Sequence, residues 1–500
     1  MFGSVRSRSL RLLAAFVLAL VATPAGATTY DVGPGQALPA IADVPWATLQ
    51  PGDVVQIHYR AASYREKWVI GRAGTASAPI VVRGVLGPNG ERPVISGDGA
   101  TTPDPLDFTG ESRGVLKIGT SNVPDETLPE HIVIEHLELR SAHTAYNFTD
   151  DHGLTQAYAQ NAAALYVERA QHLVIRNCVL TDSGNGLFVG AFDGDTRDIT
   201  IEGNFIGGNG NDGSIYEHNT YTAAIGIVYQ YNHFGPLRAG ALGNNLKDRS
   251  AGLVVRNNWI EGGNRQLDLV DGEDSQVIVD DPSYRETFVY GNVLIEPDGA
   301  GNSQIVHYGG DSGNEALYRK GTLYFFHNTV VSNRLGNTTL LRLSSDGESA
   351  DVRNNVLYVG ASGDRLAMLD ETGSALLSHN WSKPGWVESH SGPADIVDDA
   401  TGVESAAPGF ADEIGQDYRP GAGADIIDAG GALHPAVLPA HVVTRQYVEH
   451  QSSGARRGDG FPDLGAFEAC ATPCPEPANA VTLAVAFAAL GSIAARRLAR

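Results

Sequence analysis

The sequence predicts an all-β protein that folds as a right-handed parallel β-helix with a C-terminal capping segment. Three observations favour this class. A strand–bend–strand motif recurs through the middle of the chain, its copies fall about one coil apart, and no long stretch there shows clean helical periodicity. The 59 glycines and only 35 lysines and arginines suit a fold with many tight turns and few helices.

The repeated motif is clearest in residues 253–260. Its first and third positions are mostly apolar, which is the period of a strand with one buried face. Its sixth position is usually asparagine, which tolerates left-handed backbone and bonds its own main chain, so we expect a tight bend there. The same frame fits segments 132–139, 173–180, 199–206, 287–294, 323–330 and 350–357.

The spacing of the sixth positions predicts stacked coils. Two of the gaps, 178 to 204 and 328 to 355, each match about one coil of a β-helix. The gap from Asn204 to Asn258 is twice as long, which corresponds to two coils, and the others are one coil with an insertion. Since one coil cannot bury its apolar face alone, we expect the asparagines in a column with a spacing of about 4.8 Å. A β-sandwich is the alternative, but its strands need not share an asparagine position.

The two ends of the chain carry targeting segments. Residues 1–27 have three arginines, an apolar run and a small-residue site ending at Ala27, which predicts a signal peptide and export. A retained anchor is the alternative, but the run is short for a membrane span. Residues 471–500 contain Pro475-Glu-Pro477, an apolar stretch and terminal arginines. This order resembles the PEP-CTERM sorting signal of Gram-negative bacteria that make extracellular polysaccharide.

The PEP-CTERM resemblance implies a temporary membrane anchor that a sorting enzyme removes, and an ordinary tail anchor is the alternative. It also implies a location at the cell surface or in the extracellular matrix. In residues 28–477, 29 basic residues stand against 58 acidic ones, a net charge of −29. This balance argues against a nucleic-acid partner.

The three cysteines have two different predicted roles. Cys178 occupies a sixth position of the repeat, which predicts a buried thiol. Cys470 and Cys474 precede the tail, where an exported context permits a disulfide. With no histidine beside these two cysteines, the sequence gives no indication of a metal site.

The start of the β-helix, which we place at residues 28–374, resembles a known family. Segment 49–57 is a Pro-Gly-Asp turn leading into a strand, and segment 74–83 is a Gly-Thr-Ala…Pro-Ile turn leading into the next. Within residues 28–100 the chain is similar to the first coils of pectate-lyase-fold enzymes, in the alginate lyase and chondroitin lyase branch. The resemblance implies a β-helix and polysaccharide cleavage. Residues 375–470 resemble the closing segment of exported bacterial β-helix proteins and are expected to cap the open end.

The family's catalytic pair does not carry over to this sequence. In the alginate lyase branch a catalytic lysine is followed by serine, whereas that register here holds Arg249-Ser250, with Lys247 two positions earlier. The family's catalytic arginine lies in a Leu-Arg-His-Gly stretch, and the nearest match here, residues 269–272, has no arginine. Some members bind calcium, but no motif here establishes a cofactor.

Chemistry is predicted to lie between residues 217 and 274, where basic residues cluster in an otherwise acidic chain. The cluster consists of Arg238, Lys247, Arg249, Arg256 and Arg265. Because Leu246 should point inward, Asn245, Lys247 and Arg249 should share the outward face of one strand. Asp268 follows Lys247 at a spacing close to one coil, so the two should be stacked neighbours. Polar insertions at 101–131, 141–162, 207–222 and 299–319 are expected to wall a cleft.

These residues suggest β-elimination of a uronate-containing polysaccharide. Arg249 and Arg238 would neutralise the sugar carboxylate. Lys247 or His218 would be the base, and Tyr221 the acid that protonates the leaving oxygen. A lysine base needs a lowered pKa, and neighbouring arginines act in that direction. The predicted substrate-binding residues are Arg238, Asn245, Arg265, Asp268 and Asp271.

Three alternatives remain open at this stage. Lys247 and Asp268 can simply pair across stacked strands. Asp268, Asp271 and Asp274 can serve an aspartate-dependent glycoside hydrolase. The protein can also be a non-catalytic surface or matrix protein that binds glycan. His307 and Tyr308, beside a Gly-Gly-Asp turn, form a weaker outlying pair.

Overall fold

The computed structural model describes residues 26–469 except residues 126 and 459. Within these residues, three parallel sheets of thirteen, eleven and ten strands run along the molecule. Along the chain, a strand of the first sheet is followed by one of the second and then one of the third, so each complete coil adds one strand to each sheet. The predicted right-handed parallel β-helix is confirmed.

The bounds of the strands are as follows. The first sheet consists of Thr29–Val32, Val54–His58, Ile80–Val85, Glu130–Glu135, Gln171–Arg176, Arg197–Glu202, Ile225–Gln230, Ala251–Arg256, Glu286–Tyr290, Thr322–Phe326, Ser349–Arg353, Ser374–Ser378 and Asp395–Asp398. The second consists of Val94–Ser96, Glu138–Arg140, Val179–Thr181, Phe205–Ile206, His233–Phe234, Trp259–Glu261, Val293–Glu296, Thr329–Ser332, Val356–Val359, Trp381–Ser382 and Val403–Glu404. The third consists of Trp68–Ile70, Gly114–Ile118, Ala163–Val167, Asn185–Val189, Thr220–Thr222, Leu246–Asp248, Leu267–Leu269, Gln304–Tyr308, Thr338–Leu343 and Leu366–Leu369.

The remaining described elements are short. Small sheets are formed by Ala100–Thr101, Asn147–Thr149 and Thr155–Ala157, by Phe410–Asp412 and Asp417–Pro420, and by Arg445–Val448 and Ser452–Ala455. One α-helical turn spans Gln276–Val279. The 3-10 turns are Ile41–Asp43, Trp46–Thr48, Glu111–Arg113, Phe192–Gly194, Pro282–Arg285, Glu315–Leu317, Gly363–Arg365 and Pro435–Val437.

The predicted motif forms a strand of the first sheet, a bend and a strand of the second sheet. Val255, Val289 and Phe325 pair in register across three successive coils, and all three are fully buried. Burying one such side chain contributes about 1.5–3 kcal/mol relative to leaving it exposed. The apolar interior is therefore a column of equivalent positions repeated from coil to coil, as the spacing predicts.

The asparagines of the bend form a continuous buried column, which we call the asparagine ladder. Its members are Asn204, Asn232, Asn258, Asn292, Asn328, Asn355 and Asn380. Asn258 Oδ1 accepts from both the main-chain N–H and the Nδ2 of Asn232, each at 2.9 Å, and its own Nδ2 donates to Tyr229 O at 3.0 Å. The ladder thereby satisfies main-chain groups that the bend removes from the sheets.

Two details of the bend differ from the sequence prediction. The left-handed residue is the fifth of the motif, with φ of 51° at both Asn257 and His327, not the sixth. The sixth side chain must point inward to bridge coils, so the turn is made one residue earlier. Asn232, which the motif search did not include, supplies the coil between Asn204 and Asn258.

Cys178 continues the ladder column at its N-terminal end. Its N–H donates to Asn204 Oδ1 at 2.9 Å, and its thiol is free and buried, as predicted. Burial raises the pKa of this thiol to about 12. The thiol is therefore protonated at neutral pH, and this cysteine is part of the scaffold.

The end of the β-helix differs from the prediction in two ways. Coils continue beyond residue 374, because Asp395–Asp398 and Val403–Glu404 pair in parallel with the preceding coil. Residues 405–469, which we call the C-terminal strap, lie along the side of the helix and do not cap its end. Apolar side chains of the strap cover outward-facing aromatic residues of the first and second sheets, including Trp259, Phe288 and Tyr358.

The physical reason for the strap lies in what the outer faces carry. In earlier coils the outward positions of the first sheet hold charged residues such as Glu135 and Arg176, which pair at 2.6 Å, with the Arg176 side chain 41% exposed and that of Glu135 buried. In later coils the same column holds Tyr290 and Phe326, whose rings stack at 4.8 Å. Such an apolar surface needs cover, which the strap provides.

The targeting predictions lie outside the described residues. These are the signal peptide at 1–27, apart from its last two residues, and the tail at 471–500 with the Cys470–Cys474 pair. In the part of the chain that the structure describes, no helix has the length and apolarity to cross a membrane.

Candidate active site

The candidate site lies on the outward face of the third sheet. One column of outward side chains follows the register of this sheet from coil to coil. It consists of Lys117, Tyr166, Phe188, Tyr221, Lys247, Asp268, His307 and Arg342. The column changes from aromatic to charged at the step from Tyr221 to Lys247, and the predicted site residues concentrate there.

The aromatic part of the column is a stack of rings. Tyr166 and Phe188 lie with their centroids 5.5 Å apart, and Phe188 and Tyr221 are stacked at 5.4 Å. The guanidinium of Arg113 covers Tyr166 and Phe188 at 4.8 and 4.7 Å. This stack fixes the Tyr221 ring from one side and leaves its hydroxyl to meet the charged part.

Lys247 and Asp268 are stacked neighbours, as their spacing predicts. Lys247 Nζ lies 2.8 Å from Asp268 Oδ2 and also contacts Asp311 Oδ2. Burial alone would lower the pKa of Lys247, but the carboxylates of Asp268 and Asp311 outweigh it, so this pKa is raised. Lys247 is therefore protonated at neutral pH. The prediction that it is a base with a lowered pKa is contradicted by its two carboxylate partners.

Arg249 connects Tyr221 to three acidic residues. Its Nε donates to Tyr221 Oη at 2.7 Å, and its Nη2 lies 2.7 Å from Glu273 Oε1 and 2.9 Å from Asp311 Oδ1. Its Nη1 donates to the main-chain oxygen of Asp271 at 2.6 Å. Burial would lower the pKa of Arg249, but Tyr221 and the carboxylates raise it overall, so the side chain is a fixed cation.

The pKa values of two carboxyl groups around Arg249 are shifted in opposite directions. The pKa of Asp311 is lowered because Lys247 and Arg249 outweigh its burial. The pKa of Glu273 is raised by its burial, despite the attraction of Arg249, and neighbouring aspartates add to the effect. Both side chains are about one-third exposed, at 31% and 36%. They are the accessible acids of the cluster, and the sequence analysis assigned neither to the site.

His218 is held as a neutral imidazole beside Tyr221. Its Nδ1 accepts from the main-chain N–H of Asn244 at 2.9 Å, and its ring lies 6.0 Å from that of Tyr221. Burial, together with the nearby Lys247 charge, lowers the pKa of His218 to about 3. Since Nδ1 accepts a hydrogen bond, the single ring proton is on Nε2. His218 is therefore a neutral donor, and the role of base predicted for it does not fit this arrangement.

Of the other residues predicted to belong to the site, some lie in the charged cluster and others do not. Asp271 lies in the cluster, with Oδ1 3.4 Å from Arg249 Nη1, and Arg265 Nη1 lies 3.7 Å from Asp268 Oδ1. Arg238 instead pairs with Asp182 at 2.9 Å in a loop between the second and third sheets. Asn245 is fully buried and donates to Glu261 O at 2.8 Å, so it does not reach the outward face.

The predicted basic cluster is therefore divided by the fold. Lys247 and Arg249 lie together on the third sheet, whereas Arg256 bonds Gln230 on the first. The cations of the site are also matched by acids, so this face is not the cationic groove that the sequence suggests. No spacing rule would have found Asp311, because its loop follows a strand two coils beyond Lys247.

Two further observations concern metals and surface cavities. Among the described residues, no group of three or more histidine, cysteine or acidic side chains is arranged to hold a metal ion. Two surface cavities, of about 370 and 500 Å³, lie in the last coils and beside the first sheet, away from the cluster. The charged cluster is a network of ion pairs, of which Glu273 and Asp311 are accessible members.

Comparisons with known proteins give structural likeness only. No protein-family model matches the chain, and no curated protein sequence matches it. Among solved structures, it is similar to pectate lyase Pel9A, with a TM-score of 0.48, 13% identity, and coverage of 89% of this chain and 96% of that one. It is also similar to an alginate lyase from Paenibacillus sp. str. FPU-7, with a TM-score of 0.44, 13% identity, and coverage of 71% and 99%. A tailspike protein of E. coli bacteriophage HK620 gives a TM-score of 0.38 at 11% identity, covering 76% of this chain and 60% of that one.

Proposed function

We propose that this protein binds a uronate-containing polysaccharide on the outward face of the third sheet and cleaves it by β-elimination. The observation that carries the proposal is a bridged carboxylate. Asp311 places one oxygen on Lys247 and the other on Arg249 at 2.9 Å. These two cations, two positions apart on one chain segment, form a ready carboxylate-binding site.

In this proposal a sugar carboxylate replaces that of Asp311. Asp311 belongs to the insertion after strand Gln304–Tyr308, and its side chain is 31% exposed. Moving this loop opens one binding position on each cation at once, while Lys247 keeps Asp268 and Arg249 keeps Glu273 as partners. A uronate bound between them would have its negative charge neutralised, which acidifies the neighbouring C–H and stabilises the enolate-like state. The neutral Nε2–H of His218 adds a further donor beside the same group.

Tyr221 is then the group that transfers protons. Lys247 is fixed as a cation and His218 carries its proton on Nε2, so neither serves as the base. The Tyr221 phenolate, stabilised by Arg249 Nε at 2.7 Å, takes the proton beside the carboxylate. The resulting phenol returns it to the leaving glycosidic oxygen. Tyr221 is thus both the base and the acid, whereas the sequence predicted only the role of acid for it.

The assignment predicts an alkaline pH dependence. Burial raises the pKa of Tyr221 above its usual value, although Arg249 opposes the shift. The phenolate is therefore a minor form at neutral pH, and kcat/KM should rise about tenfold per pH unit through the neutral range. A rate that falls as the pH is raised from 7 to 9 would contradict Tyr221 as the base.

The direct test uses alginate, pectate and glycosaminoglycans as substrates. The product of β-elimination is unsaturated, so cleavage appears as ultraviolet absorbance. Tyr221→Phe should lower this signal by about 100-fold or more, whereas Tyr216→Phe, at an exposed tyrosine nearby, should not. Equal activity of the Tyr221→Phe variant and the native protein would refute the mechanism.

A glycoside hydrolase is the second candidate, and one observation favours it. Glu273 and Asp311 both contact Nη2 of Arg249, and their pKa values are shifted in opposite directions. A carboxyl group with a raised pKa close to one with a lowered pKa is the pair that glycosidases use. In this case polysaccharide digestion would yield new reducing ends without ultraviolet absorbance. Binding without either product would favour the glycan-binding alternative.

Export and surface sorting also belong to the proposal. The support is the order of the terminal segments: arginines with an apolar run at the start, and Pro-Glu-Pro with an apolar stretch and arginines at the end. We expect the mature protein to begin at residue 28 and to lose the tail to a membrane sorting enzyme. Intact-mass measurement of protein recovered from outside the cell tests both cleavages.

A further inference from the structure

We propose that Ser344, His307 and Asp268 form a second catalytic group, which hydrolyses acyl esters. His307 Nδ1 lies 2.8 Å from Asp268 Oδ1, and His307 Nε2 lies 2.9 Å from Ser344 Oγ. This is the order and hydrogen-bonding reach of a serine nucleophile, a histidine base and a carboxylate that orients it. The elimination proposed above uses neither Ser344 nor His307.

The fold brings these three residues together from separate coils. Asp268 lies in Leu267–Leu269, His307 pairs with it in the next strand, and Ser344 follows the strand Thr338–Leu343. Successive strands lie about 4.8 Å apart, so three polar side chains on successive coils can reach one another in sequence. The separations of 39 and 37 residues explain why the sequence did not reveal the group.

The hydrogen bonds favour the productive tautomer of His307. Asp268 is held as a carboxylate by Lys247 at 2.8 Å and by Asn244 Nδ2 at 2.7 Å, both on its other oxygen. A carboxylate only accepts, so Nδ1 of His307 carries the ring proton and donates it. Nε2 then presents its lone pair to Ser344 at 2.9 Å, and the one hydroxyl proton of Ser344 can be donated either to this nitrogen or to Gly310 O at 2.8 Å. In this tautomer His307 can take the Ser344 proton.

The main chain beside Ser344 supplies a hydrogen-bond donor for a reacting carbonyl group. Ser344 is partly exposed, and the main-chain N–H of Gly310 donates to its Oγ at 2.8 Å. A Cβ at Gly309 would lie 2.7 Å from the Ser344 side chain, so the close approach needs glycine there. Once Oγ attacks a carbonyl carbon, the Gly310 N–H is the nearby donor for the developing oxyanion.

The reaction consumes only the ester and water. Ser344 Oγ bonds to the acyl carbon while its proton moves to His307 Nε2. The bond between the acyl carbon and the alkoxy oxygen then breaks, and His307 gives the proton to the leaving oxygen. Water attacks the acyl-serine and loses a proton to His307, and Ser344 leaves with that proton. The products are an alcohol and a carboxylic acid.

The expected substrate is an acylated sugar in an acidic chain. Arg342 is the next residue of the outward column after His307 and is exposed. Together with Arg265 beside Asp268, it offers positive charge next to the group for the carboxylates of such a chain. This choice of carrier rests on the proposed function, whereas the ester chemistry of the group does not.

Labelling and hydrolysis test the proposal without knowledge of the natural substrate. A fluorophosphonate should react with the native protein at Ser344, identified by mass spectrometry of its peptides. Hydrolysis of p-nitrophenyl acetate should fall by at least about 100-fold in Ser344→Ala. The matched control is Ser345→Ala, because Ser345 Oγ donates to Glu348 at 2.6 Å and not to His307. No label on Ser344, or unchanged hydrolysis by the folded Ser344→Ala variant, overturns the proposal, and the label decides if that variant does not fold.

Two further variants separate this activity from polysaccharide cleavage. Tyr221→Phe should keep p-nitrophenyl acetate hydrolysis, and Ser344→Ala should keep any ultraviolet product from polysaccharide. Asp268 acts through His307, so it is a positioning residue. Asp268→Asn should slow the reaction of Ser344 with the fluorophosphonate in the molecules that are folded, whereas a purely structural role would lower the number of labelled molecules and leave that rate constant unchanged.

Discussion

Two columns of equivalent side chains run along this β-helix. They differ in whether the same residue type is repeated from coil to coil. The asparagine ladder repeats one residue seven times along the described coils, and each member bonds the next. The outward column of the third sheet, in contrast, changes from Phe188 and Tyr221 to Lys247, Asp268 and His307. Both columns have the same coil-to-coil register.

The difference shows where the fold imposes a residue and where it does not. In the ladder each coil has the same main-chain groups left unpaired by the bend, so an asparagine side chain forms hydrogen bonds with them in every coil. On the outward face the backbone is already paired within the sheet and makes no such demand. A buried group of unlike charges there has no scaffold requirement behind it, which favours a functional interpretation.

The largest expected effect comes from breaking the charged part of the outward column. Lys247→Met leaves Asp268 buried without its nearest cation and should lower the free energy of unfolding by about 3–5 kcal/mol. The double variant Lys247→Met, Asp268→Leu should recover most of that loss while remaining inactive on polysaccharide. Urea unfolding of both variants measures this. A double variant as unstable as the single one would mean that the pair is needed by the scaffold.

A somewhat smaller loss of stability should follow from interrupting the ladder. Asn258→Ala removes the acceptor for the Asn232 N–H and the donor to Tyr229 O, both buried. At about 1–2 kcal/mol for each unsatisfied group, the unfolding free energy should fall by about 2–4 kcal/mol. Asn333→Ala, at an exposed asparagine, should change it by less than about 0.5 kcal/mol. Equal effects of the two variants would show that the ladder adds nothing to stability.

The third effect develops gradually with pH and concerns the acid side of the stability curve. The folded pKa of His218, about 3, lies below its unfolded value of about 6.5. Its contribution is therefore complete above pH 6.5 and is lost as the pH falls, because the unfolded chain takes up the proton first. The slope is at most about 1.4 kcal/mol per pH unit. His218→Asn should flatten the decline between pH 6.5 and 4, and His152→Asn, at an exposed histidine, should not.

The fold can be predicted from the sequence because each repeat has a local pattern of residue types. Alternating apolar residues and a recurring asparagine specify one strand–bend–strand unit, and Val255, Val289 and Phe325 stack as their positions in the repeat predict. The step from Lys247 to Asp268 was also predictable, since their separation along the chain is close to one coil. These inferences need only a period and a side-chain direction.

The C-terminal strap shows the limit of such inference. Its sequence predicted a cap for the open end, yet residues such as Tyr418 and Val437 cover the sides of the later coils. The strap packs where aromatic side chains at outward positions of the first and second sheets come together in the folded protein. The repeat pattern predicts the coil, but it does not predict which outward surface the strap covers.

The coil, the buried columns and the segment that carries Lys247 and Arg249 can be predicted from the sequence alone, because they follow from residues within one repeat. The residues that contact these two cations are evident only from the three-dimensional structure. Asp311 and Ser344 come from loops one or more coils away, and loop length and direction are not encoded in the repeat. Burial would lower the pKa of Lys247, but Asp268 and Asp311 raise it overall, whereas burial and the nearby Lys247 charge lower the pKa of His218. The chemistry of this protein therefore depends on contacts between coils, whereas its shape depends on residues within each coil.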